Sequence, residues 1–161
     1  MFFNAINLST FKSDFSITFK VFLYMSNLVH INKVEYARIA EVLSMQLVSH
    51  ASCRFKSFVN FKPICIEGLA SVRIEDASEN NQIVYTTSLS FRTKDKTPMA
   101  ERKLAFRLTS VNGAQFIIGL PYRPYPIIKE NNPYPDKPGD DTLKTVQVTW
   151  KSLHPMLFLV V

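Results

Sequence analysis

Period-two alternation of apolar and polar residues, broken by turn-forming dipeptides, predicts a mainly β protein. The expected form is an antiparallel sandwich or partly open barrel of five to seven strands with one N-terminal amphipathic helix, for which an α+β label would also serve. Three observations carry this: alternating runs across 64–92 and 145–150, the Asn112-Gly113 pair between two apolar runs, and a single stretch of helical period. The 161 residues, 47% hydrophobic and 20% charged, suit one core rather than two domains. The expected organisation is an N-terminal extended arm or upstream extension over 1–24, then a single β-rich domain over 25–161.

Near the start, Phe11, Phe15, Ile17, Phe19, Val21 and Leu23 share one parity, while Lys12, Asp14, Ser16, Thr18 and Lys20 share the other. That is a strand pattern, either paired in its own sheet or reaching a neighbour as an arm. Met25 is an alternative start. The charges at 12, 14 and 20 leave no run near the roughly 20 apolar residues a spanning helix needs. Residues 1–10 hold no basic residue, so no signal-peptide n-region forms. The expected location is the cytoplasm or an assembled particle, with no membrane partner.

Asn32 with Glu35 has capping-box spacing, and Tyr36, Ile39, Ala40, Leu43 and Leu47 cluster on one helical face, predicting a helix from about Lys33 to Val48. Ile64 to Ile74 then alternates as a strand, Asp76 to Asn81 supplies turn residues, and Ile83 to Phe91 alternates as its antiparallel partner. Asn112-Gly113 predicts a two-residue hairpin loop that sets Leu108 opposite Ile117 and Phe106 opposite Gly119. Apolar residues on both faces of that hairpin place it inside a sheet. Six of the nine prolines fall in 121–141, which reads as a long loop because proline lacks a ladder N–H. Thr145 to Trp150 alternates again, and the apolar run from Met156 to Val161 reads as a buried strand or a docked tail.

Four glycines, spread from 68 to 139, cannot build the phosphate cradle of a P-loop or dinucleotide fold. Cys53 and Cys65 lack metal or redox spacing and read as free thiols in a reducing compartment. His30, His50 and His154 are scattered, and neither a serine elbow nor a Cys-His pair declares itself. No catalytic residue, metal site, cofactor or small-molecule substrate is therefore expected, and an enzyme would need a site assembled across strands. Asp136, Asp140 and Asp141 lie in the proline loop and fit an ordinary solvated tip.

Three surfaces remain. Arg92, Lys94, Lys96, Arg102, Lys103 and Arg107 against Asp95 and Glu101 give a local excess of +4 within a total of +6, a patch that phosphates or an acidic partner would recognise. Arg54, Lys56 and Lys62 interleave with Phe55, Phe58 and Phe61, a mixture that stacks bases or fills a core. Tyr122, Arg123, Tyr125 and Tyr134 alternate with prolines, and Tyr and Arg dominate protein interfaces. Arm, loop and apolar C-terminus together predict a non-enzymatic structural or interaction subunit of a larger assembly, with a phage or virion component as the context. Its partners are copies of itself or assembly neighbours. The alternative is a nucleic-acid-binding β domain using 92–107.

Overall fold

The computed structural model of the chain describes residues 30–95, 103–132 and 143–160. The alternating arm, Met25, Lys96, Arg102, Tyr134 and the three loop aspartates lie outside the described residues. Among the described residues eleven strands form two sheets, more than the five to seven expected. Neither sheet closes into a barrel.

Strand β7 (Leu104–Ser110) turns into β8 (Gln115–Ile118) at the expected place but not in the expected register. Leu108 faces Phe116 and Phe106 faces Ile118, one residue away from the two-residue-loop pairing. The loop has three residues: Gly113 N–H donates to Ser110 C=O at 2.9 Å, and Ser110 N–H donates to Ala114 C=O. Gly113 has φ +81°, which a three-residue hairpin loop with a bulge requires. The slip puts Phe106, Leu108, Phe116 and Ile118 on one face and moves Ile117 to the face of Arg107. Gly119 does not lie under Phe106. A side chain there would meet Pro126 at 3.1 Å and the Ala105 Cα at 3.3 Å, and its φ of +104° also favours glycine.

The helix expected over 33–48 does not form, and no helix of seven residues occurs among the described residues. In its place stand β1 (Ile31–Arg38), a 3-10 turn (Ile39–Glu41) and β2 (Met45–Ser49). The physical reason is an interior strand position. Strand β1 lies between β7 and β4 (Lys62–Ile64), so Val34 and Tyr36 pack on one face while Glu35 and Ala37 are buried on the other. Burial on both faces hides the period of two, and the apolar spacing then imitates a helix. Glu35 closes no cap; it stands opposite Arg107 on β7.

Strand β3 (Ser52–Phe55) and β11 (Leu157–Leu159) complete the seven-stranded sheet, ordered β2-β3-β11-β8-β7-β1-β4. The apolar C-terminal run is thus a strand inside this sheet, antiparallel to β8 and parallel to β3, so the sheet is not purely antiparallel.

The second sheet runs β5 (Ser71–Glu79), β6 (Gln82–Thr93), β10 (Lys144–Ser152) and β9 (Ile127–Asn131). Its hairpin turn is only Asn80-Asn81, both at positive φ, so β5 extends through the Asp76 to Glu79 stretch expected to turn. The expected strand from Ile64 to Ile74 is divided around Gly68 into β4 and β5, on different sheets. Ile31 bridges Ala70 and Ile66 bridges Thr93, so this connection ties one sheet to the other. Strand β9 interrupts what reads in sequence as one proline-rich loop. Buried residues of both sheets, among them Phe106, Phe116, Leu89 and Trp150, belong to one hydrophobic cluster. No helix among the described residues is long and apolar enough to cross a membrane.

Candidate functional site

Among the described residues the two sheets have four edge strands, and three are protected. Strand β4 has three residues including Lys62 and Pro63, β5 carries Arg73, Glu75, Asp76 and Glu79, and β9 carries Lys129 and Glu130. Charges, proline and short length discourage another chain from adding to an edge. Strand β2 has none of these: its five residues, Met-Gln-Leu-Val-Ser, are uncharged. Leu47 is 38% exposed, Val48 46% and the preceding Leu43 67%. Sequence reading assigned Leu43 and Leu47 to the buried face of a helix. The available signal was the absence of charge from Leu43 to Ser49.

The described side chains of the basic stretch are held in several ways. Arg107 Nε donates to Glu35 Oε2 at 2.7 Å, and its guanidinium lies 4.5 Å over the Phe61 ring. Glu35 is buried and also meets Lys33 at 3.0 Å. Burial alone would raise its carboxyl, but the hydrogen bonds and positive charges of Arg107 and Lys33 together outweigh burial and hold it below its ordinary value. Lys103 Nζ sits 5.7 Å over Tyr125, and Lys94 meets Glu67 at 3.2 Å. Arg92 is exposed on β6.

In the Phe-rich stretch, Phe61 is buried edge-on to Phe55 at 5.7 Å, whereas Phe58 is 92% exposed. Tyr122 and Arg123 are exposed, while Tyr125 is half-buried against the core. Trp150 Nε1 donates to Pro124 C=O at 2.9 Å and fixes this loop against β10.

Cys53 is buried, which pushes its thiol up to about 12, and Cys65 is exposed; both are free. A buried thiol at that value is no nucleophile. Among the described residues no three His, Cys, Asp or Glu side chains gather as a metal cluster. Two histidines that sequence scatters do meet: the His50 and His154 rings are 5.2 Å apart, centre to centre. A shallow groove of about 420 Å³ runs between the hairpin tip Asn112–Gln115 and Phe158–Val160. Compared with known protein families, curated proteins and solved structures, the chain matches none.

Proposed function

We propose that the protein is a non-enzymatic structural or interaction subunit of a larger assembly, of the kind that builds a phage or virion particle, joined by a protein neighbour along β2. Its two sheets are read as the layers of a mainly antiparallel sandwich. The observation that carries the reading is the contrast among the edges: of the described edge strands β2 alone is uncharged, with Leu43, Leu47 and Val48 exposed beside it. Such an edge offers backbone hydrogen bonds to an incoming strand and apolar contact to its side chains. Tyr122 and Arg123 supply a second, polar contact.

The nucleic-acid reading draws less support. Arg107 and Lys103 are occupied by Glu35, Phe61 and Tyr125, and Lys94 meets Glu67, so these side chains are already engaged within the protein. Its mark would be binding that weakens steeply with salt.

Light scattering on a sizing column tests the assembly reading. The full chain is expected to run as a discrete species above 18.5 kDa. Leu47→Lys should weaken association by about 1.4–2.8 kcal/mol, roughly ten- to a hundredfold, because an edge lysine must be desolvated by any added strand. A wild-type protein that stays monomeric at every attainable concentration would overturn self-assembly through β2.

A further inference from the structure

We propose, on the reading of β2 as the docking edge, that the strand added to it is the segment 15–23 of a second copy of this chain, so that copies are joined by exchange of their N-terminal segments. Phe15, Ile17, Phe19, Val21 and Leu23 fall on one parity, with Ser16, Thr18 and Lys20 on the other, so a strand built from them is apolar along one side. The segment lies outside the described residues, which begin at His30.

Few edges suit such a strand. Among the described residues, β4 carries Lys62 and Pro63, β5 carries Arg73 and three acidic residues, and β9 carries Lys129 and Glu130. The β2 edge is uncharged, and Leu43, Leu47 and Val48 stand exposed along it. Antiparallel addition that sets Phe19 opposite Leu47 sets Val21 opposite Met45 and carries Leu23 toward Leu43, so one apolar side meets another.

Length decides between the chain's own edge and a neighbour's. The chain enters the fold at a fixed point: Val111 N–H donates to His30 C=O at 3.0 Å, and Ala70 N–H donates to Ile31 C=O at 2.9 Å. Measured along the seven-stranded sheet, a strand added beyond β2 lies six spacings from β1, roughly 29 Å. Leu23 precedes Ile31 by eight residues, which span at most about 26–29 Å when fully extended. Nothing is left for passing around the strands between. Reaching its own β2 would therefore cost the chain the Val21 and Leu23 end of the run, whereas the β2 of a neighbour takes all of it.

Light scattering of the full chain on a sizing column tests the occupant. Ile17→Asp/Phe19→Asp should weaken association about tenfold or more, as Leu47→Lys does, and the three changes together should add little to either, because both act on one contact. In a Cys65→Ser background, where the remaining Cys53 is buried, coexpressed Phe19→Cys and Leu47→Cys chains treated with a short bismaleimide should give a 19–47 link between chains. Association lost in Leu47→Lys but kept in Ile17→Asp/Phe19→Asp would overturn this occupant and leave β2 as the docking edge. Association kept in both variants, or absent from the wild type, would overturn the exchange and self-assembly through β2 together. A 19–47 link that forms only when both cysteines are on one chain would overturn the exchange. Should the aspartate variants fail to fold, the cross-link decides.

Discussion

The two sheets distribute charge in opposite ways. In the seven-stranded sheet an ion pair lies inside, Glu35 on β1 against Arg107 on β7, and the β2 edge is uncharged. In the four-stranded sheet the central strands bury only uncharged side chains, among them Leu89, Phe91, Val146, Val148 and Trp150, and two of the charges they carry pair with the edges, Lys144 with Glu130 on β9 and Lys151 with Glu79 on β5. Interior charge ties β1 to one register, because a one-residue slip would carry Glu35 to the opposite face from Arg107. Edge charge protects a sheet without specifying it. Charged residues thus divide into those that fix pairing and those that forbid it, and position rather than number separates them.

The largest expected effect lies at the interior pair. Glu35→Ala should cost about 2–3 kcal/mol in urea unfolding, since removing one partner of a buried pair leaves the other charge poorly solvated, moderated here because the Arg107 side chain is 23% exposed. Glu35→Gln should lose less, as its amide oxygen still accepts from Arg107 Nε. A loss below about 1 kcal/mol would make the pair no better than an exposed one and erase the contrast between the sheets.

The same pair predicts the acid response. Burial would raise the Glu35 carboxyl, but the hydrogen bonds and charges of Arg107 and Lys33 together hold it below its ordinary 4.5. A carboxyl lowered on folding contributes stability that is complete above the unfolded value and lost as pH falls through the folded one. Urea midpoints at about pH 7 and about pH 3 should therefore fall further for wild type than for Glu35→Gln, which has no proton to gain there. Equal losses would show that Glu35 is not the group being titrated.

Legibility in the sequence followed how local each determinant is. Strands β6 and β10 were readable because Leu89, Phe91, Val146, Val148 and Trp150 alternate with polar neighbours on half-buried strands. The β7–β8 hairpin was readable as a turn but not in register, since Asn112-Gly113 serves a two-residue and a three-residue loop alike and only the Ser110–Ala114 pairing decides. Strand β1 was read as a helix because its two covering partners lie far along the chain: Arg107 is 72 residues from Glu35. The candidate edge was hidden by the same error, which buried Leu43 and Leu47. The His50–His154 contact joins residues 104 apart and leaves no local trace.

The smallest stability effect, and the closest test of the contrast, belongs to the β5 edge. Arg73 Nε meets Glu75 Oε1 at 2.7 Å, yet the side chains are 79% and 57% exposed. Water screens such a pair, so the double variant Arg73→Thr/Glu75→Thr should change folding stability by no more than about 0.5 kcal/mol, with threonine suited to a strand. Association should respond instead. Placed on Leu47→Lys, which blocks β2, the double variant should restore growth of solution mass with protein concentration, because the first five residues of β5 are then as uncharged as β2, although Asp76 and Glu79 remain beyond them. A loss above about 1 kcal/mol would mean that these charges hold the fold. A mass that stays monomeric would mean that edge charge is not what keeps the four-stranded sheet from pairing.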